Sequence, residues 1–193
     1  MNCNTKLILG STSPRRKDLL AEAGFEFEVV TPSDSAECGI CTQETPPELV
    51  ARLAYQKARD VAERIEQGLV IGCDTVAECC GQILGKPKDR EHAEWMLRLL
   101  RNREHRVYSG LCLWRRPDNT KRVDVDTTIL KMENLDDSQM IEYLNGGGWQ
   151  GKAGGFGLQD RHGWISIVEG SESNVVGLPL ELFQKMLADM EVL

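Results

Sequence analysis

Nowhere in the 193 residues is there an apolar run near the roughly twenty needed to cross a bilayer as a helix. Met1–Gly10 carries one lysine and only a short apolar stretch, too little for a signal peptide, so a cytoplasmic protein with no membrane contact is expected. A basic excess is missing too: 23 Lys and Arg face 30 Asp and Glu, a formal net charge of −7. Proteins that track a polyphosphate backbone usually carry the opposite balance, so nucleic acid is not expected as a partner. A small anionic ligand is still compatible, because a few clustered cations serve one phosphate group. No low-complexity run and no linker rich in Pro, Gly or Ser divides the chain, which reads as one domain over 1–193. Seven cysteines, an odd number, fit a reducing cytosol better than a disulfide scaffold.

Several chemical signatures are also lacking. There is no G-x-S-x-G elbow, and His92, His105 and His162 are scattered, so a serine-hydrolase triad has no support. Gly146-x4-Gly151-Lys152 has most of a P-loop, but Ala153 stands where Ser or Thr is required and a helical pattern precedes it. Gly81-x3-Gly85-Lys86 is one residue short. Cys38-x2-Cys41 could be half a zinc site, yet its only counterpart is the adjacent pair Cys79-Cys80, which lacks the spacing.

What is present is an alternation of strand and helix signals, the pattern of an α/β fold. Strands are expected at Lys6–Leu9, Phe25–Val30, Leu69–Ala77, Arg106–Trp114, Lys121–Lys131 and Trp164–Val168. Ser13-Pro14 caps a first helix that Gly24 closes. Thr45-Pro46-Pro47-Glu48 is a capping box, and the stripe Leu49, Val50, Leu53, Ala54, Lys57, Ala58, Val61, Ile65 runs on towards Gly68 at helical spacing. Asp89 caps a helix bearing Ala93, Met96, Leu97 and Leu100 on one face. A short helix spans Asp136 to Asn145, and Pro179 opens a last one with Leu182, Phe183, Met186 and Leu187 inward.

Four clusters could carry chemistry, each at the end of an element. Ser11-Thr12-Ser13-Pro14-Arg15-Arg16 joins strand to helix, where free N–H groups, hydroxyls and guanidinium forks suit an anion. The plain alternative is a capped helix with surface arginines. Asp74-Thr75 interrupts an apolar strand, and a carboxylate there is costly unless paired or metal-bound. Asp74 is a structural aspartate, a metal ligand or a general base. Leu84-Gly85-Lys86-Pro87 and Gly151-Lys152-Ala153-Gly154-Gly155-Phe156-Gly157-Leu158-Gln159 each set a lysine in a loop where backbone can approach a ligand.

Together these clusters resemble the Maf family, relatives of the inosine triphosphate pyrophosphatase fold. The motifs come in the family's order: Ser11-x-Ser13-Pro14-Arg15-Arg16-x-x-Leu19-Leu20, Arg52-Leu53-Ala54-x-x-Lys57-Ala58, Gly72-x-Asp74-Thr75-Val76, Gly85-Lys86-Pro87, Lys152-Ala153-Gly154-x-x-Gly157-x-Gln159 and Val175-Val176-Gly177-Leu178-Pro179-Leu180. The resemblance implies a mixed, twisted sheet flanked by helices, with two lobes around a central cleft, and homodimerisation. It implies hydrolysis of a nucleoside triphosphate between its α and β phosphates, with a divalent metal, magnesium or manganese. Asp74 would accept the proton of the attacking water; Arg15, Thr75 and Gln159 match positions linked to substrate choice. Ser11, Arg16, Lys57, Lys86 and Lys152 would surround the phosphates. Thr75 with Gln159 looks like the dTTP/UTP branch; the alternatives are a pyrophosphatase for modified nucleotides such as 7-methyl-GTP, or a non-catalytic nucleotide-binding regulator of cell division.

One departure concerns the metal, expected at Asp74 and Glu37. The family's adjacent acidic pair is replaced by Asp34-Ser35-Ala36-Glu37. Either Glu37 reaches the metal after a one-residue shift, or Asp34 substitutes, or that contact is lost.

Overall fold

A computed structural model of the chain describes residues 5–36, 44–160 and 163–191. Seven strands, β1 (Leu7–Gly10), β2 (Phe27–Val29), β3 (Gly68–Cys79), β4 (Gln82–Leu84), β5 (Glu104–Arg116), β6 (Lys121–Met132) and β7 (Ile165–Glu169), build one sheet. Its order is β2-β1-β3-β5-β6-β7, with β4 paired to β3. β1 runs parallel to β2 and β3, whereas β4 on β3 and β7 on β6 are antiparallel, so the sheet is mixed, as expected. The helices are α1 (Pro14–Glu22), α2 (Pro46–Ala62), α3 (Arg90–Leu100), α4 (Asp137–Asn145), α5 (Glu172–Val176) and α6 (Leu180–Asp189). No helix of the described residues is long and apolar enough to cross a membrane.

The caps act largely as the sequence implies. Thr45 donates its N–H to Glu48 Oε2 at 2.9 Å, and Asp89 Oδ1 accepts from His92 N at 2.8 Å. Ser13 is the exception: it stands at the N-cap of α1, but its hydroxyl caps nothing. Instead Ser11 Oγ accepts the Ser13 N–H at 3.2 Å, which ties down the turn before the helix. α2 stops at Ala62, short of the expected end near Gly68, because the chain must reverse to start β3, where Leu69 N bonds Lys6 O at 2.9 Å. The short β4 and α5 give no periodic signal in so few residues.

The chain forms two compact units. The first comprises Met1–Asp74, Ser109–Asp126 and Gly177–Leu193. Its core joins Leu9, Leu20, Ile71, Leu111, Leu113 and Phe183, with a second cluster of Ile8, Ala54, Ala58, Val61, Val70 and Trp114 under α2. At two points α2 sits directly on strand backbone, over glycines. A Cβ on Gly72 of β3 would lie 2.3 Å from Ala54 O, and one on Gly110 of β5 would lie 2.1 Å from Val50 O. Real Cβ atoms never approach so closely, so only glycine admits the helix at this depth.

The second unit comprises Thr75–Tyr108 and Thr127–Val176. α3 contributes Ala93, Met96, Leu97 and Leu100 to its core, α4 contributes Met140, Tyr143 and Leu144, and Phe156 and Trp164 complete it. His105 of β5 lies in this core, 2% exposed and edge-on to the Phe156 ring, with centroids 5.1 Å apart. Neither ring nitrogen makes a hydrogen bond. Burial pushes its pKa down from 6.5 to about 4; the Arg103 backbone pulls weakly upward without reaching bonding geometry. The folded protein therefore keeps His105 neutral while the unfolded chain takes up a proton. Stability from this group is complete above about pH 6.5 and is lost as pH falls towards about 4, by up to about 3 kcal/mol. Urea midpoints near neutral pH and near pH 5 should show a smaller acid loss in His105→Leu than in the parent. Equal losses in both would mean that His105 takes up its proton alike folded and unfolded.

Candidate active site

The first unit holds Ser11, Arg15, Arg16, Lys57 and Asp74. β3 reaches Asp74 after a fully buried run, and the residue is 16% exposed at its side chain. Lys57, on the inner face of α2, donates from Nζ to Asp74 Oδ1 at 2.6 Å. The close seat of α2 on Gly72, two residues before Asp74, brings that lysine within reach. A carboxylate in an apolar strand is costly without a counter-charge, and Lys57 supplies it.

The turn between β1 and α1 has its own network. Arg16 is nearly buried, with Nε donating to Gly177 O at 2.7 Å and Nη1 to Ser11 Oγ at 3.2 Å. Cys73 Sγ donates to the same Gly177 carbonyl at 3.1 Å, so one backbone oxygen anchors α1 and β3 to the stretch before α6. Ser11 Oγ accepts from Arg16 and from the Ser13 N–H, which fills both its acceptor positions. Its O–H is then left as a donor, the polarity a phosphate oxygen requires. Arg15, half-buried, follows Pro14 in the first helical turn.

Thr75, Lys86, Lys152 and Gln159 belong to the second unit. Thr75 is half-buried, and Lys86 and Gln159 are exposed. The loops carrying the lysines are joined by a backbone bond, Gly154 N to Gly85 O at 3.0 Å. Lys152 Nζ is ion-paired with Asp160 Oδ2, and the two side chains are 12% and 23% exposed. Asp160 was not expected from sequence, although a carboxylate directly after Gln159 and eight residues after Lys152 was the available signal.

Glu37 lies outside the described residues, as do Cys38 and Cys41; Asp34 opens a short 3-10 turn, Asp34–Ala36. Among the described residues no group of three or more His, Cys, Asp or Glu converges on one point. Magnesium commonly needs no such cage, since one or two carboxylates together with substrate phosphates hold it. Asp74, a hard oxygen donor that is partly exposed, fits that donor set.

The family described as Maf-like protein matches residues 6–190. A dTTP/UTP pyrophosphatase of Rhodopirellula baltica is 56% identical over 186 residues, which cover 96% of this chain and 82% of that protein. A dTTP/UTP pyrophosphatase of Ruminiclostridium cellulolyticum is 40% identical over 182 residues, 94% of each chain. A nucleoside-triphosphatase, dITP/XTP pyrophosphatase, of Mycobacterium abscessus overlaps structurally with a TM-score of 0.42 and 14% identity, covering 67% of this chain and 75% of its own.

Proposed function

The chain belongs to the Maf family, and from that premise we propose that it hydrolyses dTTP and UTP to the monophosphate and pyrophosphate. The observation that carries the reading at the level of chemistry is Asp74, a carboxylate held on an apolar strand by Lys57 at 2.6 Å. Both named relatives act, by their names, on dTTP and UTP, which favours the pyrimidine branch over 7-methyl-GTP.

The triphosphate is strongly anionic, so its hydrolysis depends on charge neutralisation and positioning. The Ser11 hydroxyl donates to a phosphate oxygen, and Arg15, Lys57, Lys86 and Lys152 supply positive charge. Arg16 acts mainly by fixing Ser11 and the Gly177 carbonyl. Asp74 takes a proton from the water that attacks the α–β anhydride, and pyrophosphate leaves. Asp74 would also hold a divalent cation, magnesium or manganese, together with the phosphates; Glu37 is its expected companion ligand. Such an ion, when bound, neutralises phosphate charge and makes water more acidic. Thr75 and Gln159 read the base, the Gln159 amide offering both a donor and an acceptor to a pyrimidine edge. The cysteines described, Cys73, Cys79, Cys80 and Cys112, are free thiols, which suits a cytoplasmic enzyme.

Pyrophosphate release from a panel of dTTP, UTP, dATP, GTP and 7-methyl-GTP, with magnesium or manganese, tests the reading. Turnover confined largely to dTTP and UTP is expected. Preference for 7-methyl-GTP would move the chain to the other branch, and binding without turnover would favour a regulator.

A further inference from the structure

The Lys152 side chain does not enter its loop as a free cation. Asp160 Oδ2 grips its Nζ, and both side chains are largely shielded from water. The backbone makes room for the pair: a Cβ on Gly157 would stand 2.5 Å from Lys152 Nζ and 2.6 Å from Asp160 Oδ2. Any larger residue at 157 would push the two apart. Asp160 also has a neighbour on the α4 side. The Tyr143 phenol is buried, and burial first and the Asp160 charge second push its pKa upward, so it stays a neutral hydroxyl. Tyr143 is itself fixed edge-on against Trp164, with ring centroids 5.2 Å apart.

We propose that Asp160 is a positioning residue for Lys152, holding its ammonium at a fixed point so that two of its three N–H donors remain for phosphate oxygens. This rests on the reading that Lys152 meets the substrate's phosphates. A lysine stem has four rotatable bonds, and an ammonium free to wander places its charge poorly where the transition state needs it. A carboxylate beside an anionic substrate should by itself weaken binding. Its value therefore lies in turnover, and a split between kcat and KM follows.

Asp160→Ala should lower kcat for dTTP about tenfold while KM holds or falls. Asp160→Asn, which keeps an acceptor without the charge, should lie between Asp160→Ala and the parent. Lys152→Met should lower kcat/KM by about a hundredfold or more, and adding Asp160→Ala to it should cause no further loss. Thermal melts establish that each variant is folded. If Asp160→Ala leaves kcat intact while Lys152→Met lowers it, the positioning role is wrong and the phosphate role of Lys152 stands. Equal losses from Asp160→Ala in the parent and in Lys152→Met would also overturn it, assigning Asp160 to loop structure alone. Full activity of Lys152→Met would overturn both readings.

Discussion

Asp74→Asn should lower kcat for dTTP and UTP by about a hundred- to ten-thousandfold, the range in which a positioned general base contributes. The substitution is close to isosteric and retains a carbonyl oxygen to receive the Lys57 Nζ that now sits 2.6 Å from Oδ1. The backbone beneath it is pinned by the parallel register of Leu9 with Ile71 and Gly10 with Gly72. Geometry should thus survive, and what disappears is a group basic enough to take a proton. Saturating nucleotide and a quantitative pyrophosphate assay measure the effect on kcat, and a thermal melt of the variant controls for folding. A folded variant that keeps parental turnover would remove Asp74 from the chemistry and leave it as a structural partner of Lys57.

Gly110→Ala should destabilise the protein by about 3 kcal/mol or more, the severe end of overpacking. The added methyl meets Val50 O at 2.1 Å, Val50 C at 2.3 Å and Ala51 N at 2.7 Å, all backbone of α2. No rotamer change relieves such a clash; the helix has to lift. Gly72→Ala meets Ala54 O at 2.3 Å and Ala58 N at 2.7 Å, and lifting α2 there would also draw Lys57 away from Asp74. Gly72→Ala is therefore expected to lose activity together with stability. Gly146→Ala is the control: it sits at φ −68° and its methyl would come no nearer than 3.5 Å to any atom beyond its two chain neighbours. It should be neutral or slightly stabilising, by up to about 1 kcal/mol. Urea midpoints of the three variants decide the matter; a mild Gly110→Ala would mean that α2 lies farther from the sheet than described.

Much of the fold was legible because its elements carry strong local signals. The capping box at Thr45–Glu48, the Asp89 cap and the apolar stripes of α2, α3 and α6 rest on neighbours three or four residues apart. Asp74 was legible for the opposite reason, as a residue that breaks its strand's pattern. Long-range facts were less accessible. Arg16 reads as a phosphate ligand, yet two of its donors are committed to Gly177 and Ser11, and Gly177 is far away in sequence. Gly72 and Gly110 interrupt apolar runs, the usual mark of a close backbone approach, but sequence does not say which helix approaches. Asp160 was hidden by its surroundings, because an acid beside a polar loop residue is ordinary until Lys152 is seen to lie against it.

The bare seat beneath α2 also limits how this chain can diverge. Where Gly72 and Gly110 face the helix the opposing surface is already backbone, and nothing smaller than glycine exists to make room for a larger partner. Ala54 and Ala58, both fully buried, meet Gly72 at this contact, so growth there cannot be relieved by shrinking residue 72. Drift should be steered to the outer side, where Arg59 and Glu63 form an exposed pair at 2.7 Å that either residue can abandon at little loss. Just over half a turn apart, Lys57 and Arg59 thus face opposite evolutionary regimes on the same helix.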